Sequence, residues 1–163
     1  MQIIKWLALA GAALVVAFGG AARLGALAGS APGNLGVREG RLAPPSTTAN
    51  SVSSQARLHP GHPMQEGAMI APLAAPGDAG STLARIEAIV AAMPEARVVE
   101  RTPGYLRVEF TSRWLRFVDD AEFWADPGNG VVQVRSASRI GRKDFGVNRA
   151  RIETIRERLG ATV

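Results

Sequence analysis

Cysteine is missing altogether from the 163 residues. That one absence removes thiol nucleophiles, thiolate metal sites, disulfides and a lipid-modified cysteine. Histidine is scarce: His59 and His62 stand together in "HPGHP", and only Glu66 is close enough in sequence to join them. Three such groups on a loose segment fall short of a closed metal site, so no metal is expected. With both histidines there and no Gly-x-Ser-x-Gly, no Ser-His-Asp arrangement is legible. Phosphate-binding loops are lacking too. Gly33, Gly36 and Gly40 have the spacing of a dinucleotide fingerprint but no strand before them and no helix after. "GRKDFG" runs into Val147-Asn148 rather than Lys-Ser/Thr. No cofactor is expected. Aromatic residues make up 6% of the chain and do not interleave with its cations. That speaks against nucleic acid as a partner despite a net charge of +5.

What is present begins with an apolar N-terminus. Residues 1–29 carry Lys5 and then an uncharged run from Trp6 to Ala22, closed by Arg23. The run is near the lower limit for a span and its apolar residues go all the way round, unlike a one-faced core helix. It reads as a signal peptide, with Ala26-Leu27-Ala28 as a small-x-small cleavage pattern, or as an uncleaved signal anchor. Either way membrane association runs through residues 3–22. The rest of the chain is expected in the cell envelope, on the periplasmic face or secreted to the periplasm.

Residues 30–79 are rich in Ala, Pro, Gly, Ser and Thr and hold no sustained period. Such a segment cannot offset its own chain entropy, so it is expected as an extended arm, with 34–56 docked on the domain that follows. That domain is expected at 80–163. In "STLARIEAIVAAMP", Leu83, Ile86, Val90 and Met93 share one helical face, with Ser81 as N-cap and Pro94 as stop. "ARVVERT", "YLRVEFTS", "DDAEFWAD" and "VVQVRSAS" read as strands, three of them with clear two-residue alternation, and "DPGNG" turns between the last two. "VNRARIETIRERLG" closes with Ile152, Ile155 and Leu159 in a stripe and Gly160 as C-cap. The expectation is a two-layer α+β domain: an antiparallel sheet of about four strands, with an N-terminal and a C-terminal helix on one face. Arg107, Glu109, Glu122 and Arg135 then share the other face, able to pair across strands. That face is either solvated or partly covered by the arm as a groove.

"RSASRIGRKDFGVNR", Arg135 to Arg149, is the candidate site. From Arg135 to Arg158 eight cations face Asp144, Glu153 and Glu157, a local balance of +5 that equals the charge of the whole chain. Gly141 and Gly146 permit a positive-φ path from strand to helix. Asp144 can cap a turn, or hold Arg139 or Arg142 as a bidentate partner. Asn148 falls near a helix start, where N–H groups lack partners and favour anions. The candidate ligand contacts are Arg135, Ser136, Ser138, Arg139, Arg142, Lys143, Asp144, Asn148 and Arg149. Among them Arg139, Asp144 and Asn148 are expected to converge. Asp119, Asp120 and Glu122 supply possible acidic partners.

The pieces "NLGVREGRLAPPSTTANSVSSQA", "YLRVEFTSRWLRFVDDAEFW" and "VRSASRIGRKDFGVNRARIETIR" resemble domain-of-unknown-function family 1499, over Asn34 to about Leu159. The resemblance implies a bacterial or plastid domain attached to a signal or membrane segment, and it implies no activity. It also implies a cysteine pair near the arm, where Pro45 and Ser51 stand here. The residues therefore point to a binding or structural module for an anionic small molecule, a lipid headgroup or an acidic protein. The alternative is an enzyme using the acids of 119–122 with Arg135 and Arg139.

Overall fold

A computed structural model describes residues 2–161. The N-terminal run forms helix α1, Gln2–Arg23. It is long and apolar enough to cross a membrane and lies near the N-terminus, as a signal segment or an anchor would.

The remainder is α+β. Strands β1 (Ser51–Ser53), β2 (Leu73–Ala74), β3 (Ala96–Thr102), β4 (Tyr105–Thr111), β5 (Val118–Asp126) and β6 (Val131–Ser138) form one sheet. All pairings are antiparallel, in the order β1-β6-β5-β4-β3, with β2 also on β6. Helices α2 (Ala79–Ala91) and α3 (Val147–Ala161) complete the domain. The four expected strands are β3 to β6. The other two come from the arm, too short to show a period of their own.

The alternation sets the two faces. Leu106 pairs with Phe123 and Phe123 with Val134, while Val108 pairs with Ala121. These residues meet Leu83, Ile86 and Val90 of α2 and Ile152, Ile155 and Leu159 of α3 in one buried apolar cluster. Val52, Ile70 and Leu73 of the arm join it, so the core draws on residues well before Gly80.

Two helix ends differ from expectation. The N-cap of α2 is Asp78, whose carboxylate accepts from the N–H groups of Gly80 and Ser81. Ser81 lies one turn inside, where its hydroxyl donates to the Asp78 carbonyl. A carboxylate beats a hydroxyl here because it satisfies two free N–H groups at once. Gly160 lies within α3, which continues to Ala161, so it is not the C-cap.

The second face carries Tyr105, Arg107 and Glu109 of β4, Asp120, Glu122 and Trp124 of β5, and Gln133 and Arg135 of β6. The arm lies over its β1 side. Leu42 and Ala43 are buried, and the Leu42 N–H donates to Gln55 Oε1 at 2.8 Å. The Ser46 N–H donates to Ser51 Oγ at 2.9 Å. The arm is thus tied down by a hydroxyl beside Pro45, where the resemblance implied cysteines.

Candidate functional site

The predicted site residues divide among two faces of the sheet and one exposed loop. On the arm-covered face, Glu122 is fully buried. Its Oε1 accepts from the Tyr105 hydroxyl at 2.9 Å and from the Gly36 N–H at 2.7 Å. Its Oε2 takes Arg135 Nη1 at 3.3 Å. Arg135 also donates from Nε to the Pro44 carbonyl at 3.0 Å. Asp120, 1% exposed, receives Arg139 through Nε at 2.7 Å and Nη2 at 2.9 Å, with Arg107 Nη1 at 3.4 Å. Arg139 pairs further with Glu109, which Arg97 holds from the other side.

The ionisation of this layer follows from the pairing. The hydrogen bonds Arg139 donates to Asp120, ahead of the opposing effect of burial, raise its pKa, and Glu109 adds to the rise. Burial would raise Glu109, but Arg139 and Arg97 outweigh it and hold the carboxyl below its usual range. Burial, and then the Glu122 carboxylate, push the Tyr105 phenol up. Tyr105 therefore remains a donor, and Glu109, Asp120 and Glu122 each already have a cation.

On the helix-covered face, Ser136 and Asn148 are fully buried. The Asn148 amide donates to Asp144 Oδ2 at 2.9 Å, Ser138 Oγ at 3.1 Å and the Asn50 carbonyl at 3.2 Å. Its Oδ1 accepts from the Ser136 hydroxyl and from Arg151 Nη1. Asp144 caps α3, accepting the N–H groups of Gly146 and Asn148 at 3.0 Å each. Burial alone would raise its carboxyl, but those backbone donors and the Asn148 amide hold it below the usual range. Arg151 ties the cluster to Asp119 at 2.7 Å and lies 4.3 Å from the Phe110 ring centroid.

Arg139 and Asp144 are therefore apart. Alternation puts Arg139 on the arm-covered face with Asp120, whereas Asp144 belongs to the turn into α3. Of the two roles open to Asp144, the structure has the cap rather than the arginine partner. Gly141, with a φ of 91°, turns the chain away from Arg139 before Asp144 is reached, and Gly146, with a φ of 85°, follows on the way into α3.

The exposed part of the segment is Arg142, Lys143, Phe145 and, half-buried, Arg149. The side chains of Arg142 and Lys143 make no ion pair or hydrogen bond among the described residues. Lys143, Phe145 and Arg149 line a pocket of about 280 Å³ against Ala49, Met64 and Gly67 of the arm. Arg149 donates to the Gly67 carbonyl at 3.2 Å and also lines a neighbouring depression of about 450 Å³ with Arg57 and Glu153. Another concavity, about 510 Å³, lies between α2 and the β3–β4 turn and holds none of the predicted residues. Among the described residues no three His, Asp or Glu side chains converge as metal ligands would.

Arg151, Tyr105, Asn50 and the backbone of Gly36 and Pro44 escaped the sequence reading. Arg151 had a signal, since it stands one position before Ile152 on a helix whose apolar face is fixed. The arm's backbone donors and acceptors had none.

The model of a protein family of unknown function, DUF1499, matches residues 41–159. Comparison with the curated proteins and with the solved structures finds no match.

Proposed function

The chain belongs to the DUF1499 family, and on that footing we propose that it is an exported or membrane-anchored module of the cell envelope that binds an anionic small molecule rather than catalysing a reaction. The periplasmic face is the compartment this reading assigns, from Lys5 and the apolar run of α1. The ligand contacts are the exposed cations of the predicted segment, Lys143 and Arg149, with Arg142 beside them. Arg135, Ser136, Ser138, Arg139 and Asn148 act as structural support.

One observation carries this reading. Asp119, Asp120 and Glu122 are matched with Arg151, Arg139 and Arg135, whereas the Lys143 side chain has no partner among the described residues and stands at the edge of a pocket. Arginine and lysine donors facing a concavity of this size suit a phosphate or carboxylate group. The enzymatic alternative needs an acid or base that substrate can reach. Asp120 and Glu122 are 1% and 0% exposed and hydrogen-bonded, which weighs against it.

The test is thermal denaturation of the full chain in detergent with inorganic phosphate or citrate. A bound anion stabilises by about 2.7 kcal/mol at a hundredfold excess over its dissociation constant. Lys143→Ser with Arg149→Ser should leave the unliganded melting temperature nearly unchanged and abolish the shift. A shift that survives both changes would place the site elsewhere.

A further inference from the structure

Most of the large exposed apolar side chains of the folded domain gather at one end. Beyond Leu24, the large hydrophobic residues in solvent among the described residues are Leu58, Trp114, Leu115, Phe117, Phe145 and Val147. Three belong to the β4–β5 loop, Phe145 to the connection from β6 to α3, and Val147 to the first position of α3. Both segments leave the sheet at the same end: Thr111 pairs with Val118 across β4 and β5, and the Arg139 N–H just past β6 donates to the Val118 carbonyl at 3.0 Å. Trp114 is 69% exposed and Phe145 94%. Cations alternate with them, since Arg113, Arg116, Arg142 and Lys143 are all exposed. The Arg113 guanidinium lies 5.4 Å from the Trp114 ring centroid.

The β4–β5 loop is held in shape. The Ser112 N–H donates to the Phe117 carbonyl, the Phe117 N–H returns to Ser112 Oγ, and the Arg116 N–H donates to the Ser112 carbonyl. Trp114 and Leu115 are thereby fixed at its tip. Arg116 and Phe145 have φ of 60° and 54°, a left-handed backbone that residues other than glycine rarely adopt. Each loop thus accepts an unfavourable backbone while leaving its apolar side chains in water.

The third observation is where α1 arrives. A Cβ built on Gly29 would stand 2.8 Å from Ile140 Cγ2 and 2.9 Å from Arg139 Cβ. The chain leaving α1 is therefore packed against the end of β6, at the same sheet end as both loops. Arg23, the last residue of α1, is six residues earlier, a reach of roughly 20 Å at full extension. A bilayer holding α1 is never far from this rim.

We infer that this end of the domain docks on the surface of the bilayer that holds α1. Trp114, Leu115, Phe117 and Phe145 enter the interfacial zone, and Arg113, Arg116, Arg142 and Lys143 lie on anionic headgroups. Amphipathic aromatic rings favour the headgroup level, clustered cations are drawn to anionic lipid, and the short tether makes the contact intramolecular. The inference rests on the membrane reading of α1 but not on the small-anion pocket.

The lack of cysteine makes the test simple, because one introduced cysteine is unique. The full chain is reconstituted in phosphatidylcholine vesicles with or without phosphatidylglycerol. An environment-sensitive fluorophore is placed on Leu115→Cys at the rim, Leu14→Cys in α1, or Thr102→Cys at the opposite end of the sheet. The expected result is a blue shift at 115, quenching there by spin-labelled lipids, a larger effect with phosphatidylglycerol, and an aqueous signal at 102. Trp114→Ser with Phe117→Ser should return 115 to its aqueous emission. Arg113→Gln with Arg116→Gln should remove the dependence on phosphatidylglycerol. An aqueous signal at 115 with 14 in the acyl chains overturns the docking and leaves the anchor standing. Aqueous signals at both positions overturn both. A blue shift at 115 that spin-labelled lipid cannot quench assigns the rim to another protein surface and also overturns the docking.

Discussion

The two faces of the sheet are both covered, but by different means. The face under α2 and α3 is closed by Phe123, Val108, Ile86, Ile152 and their neighbours, whose contacts are close and non-directional. The face reached by the arm is closed by Glu122, Asp120, Arg135 and Arg139, each with specific partners. Apolar packing tolerates exchange of similar volumes. A buried charge layer tolerates little, because removing one member strands the other in a medium that solvates it poorly. The difference explains how an arm without periodic sequence docks in one place: Gly36 and Pro44 offer backbone groups to Glu122 and Arg135, which fixes its register by polar contacts.

The strongest way to break this contrast is to cut both faces equally. Asp120→Ala leaves Arg139 and Arg107 without their buried acceptor and should cost about 3–5 kcal/mol of unfolding free energy. Phe123→Ala in the apolar face should cost about the same, 3–5 kcal/mol. Urea denaturation of the two variants checks it. A loss below about 1 kcal/mol for Asp120→Ala would mean that the charged face behaves as an exposed surface.

A second experiment separates the faces by sign. Glu122→Leu with Arg135→Met replaces a buried pair by apolar volume, and such replacements are neutral or stabilising by about 1–4 kcal/mol. The arm, however, loses the anchors for Gly36 and Pro44. The double variant should therefore keep its melting temperature while limited proteolysis now cuts within residues 34–46. Continued resistance there would show that Leu42 and Ala43 hold the arm without the charges.

The elements of this comparison were unequally legible in the sequence. Alternation in "YLRVEFTS" and "DDAEFWAD" fixed the faces of β4 and β5, and with them the company of Arg107, Glu109, Glu122 and Arg135. The partner of each charge was not legible. Asp144 is the nearest acid to Arg139 along the chain, yet β-pairing brings Asp120, nineteen residues back, within 2.7 Å. Nor could Val52 and Leu73 be seen as core, since strands of three and two residues carry no period. Helix α1 was plain because its signal is compositional. The rim at 113–117 passed unnoticed, because exposed Trp114 and Phe117 look in sequence like members of a strand.

A smaller effect is expected where the arm meets α3. Asn148→Ala removes the group that joins Asn50, Ser136, Ser138, Asp144 and Arg151. The stranded partners are neutral or still hydrogen-bonded elsewhere, so the loss should be about 1–3 kcal/mol. Calorimetric melting beside Asp120→Ala ranks the two.

The smallest effect is the response to acid, and its sign follows from the carboxylates. Glu109 has an ordinary value of 4.5, and Asp126 and Asp144 of 3.8. All three are held lower in the folded protein: burial would raise each, but Arg139 and Arg97 outweigh it at Glu109. Gln133, Asn129 and the Gly128 N–H do so at Asp126, and the Asn148 and Gly146 N–H groups at Asp144. A carboxyl depressed on folding contributes stability that is fully present above its unfolded value. That contribution is lost as pH falls through the folded one, because the unfolded chain then binds more protons. The melting temperature should thus be level through neutral pH, as far as these acids govern it, and decline below about pH 4.5. Asp144→Asn should flatten part of that decline, since the amide keeps an oxygen acceptor for α3 but no longer titrates. It should leave the Arg139 network untouched, the two being on opposite faces. If Asp144→Asn instead removed the whole acid dependence, the ion pairs of the arm-covered face would carry none of it, and the contrast drawn between the faces would have to be reversed.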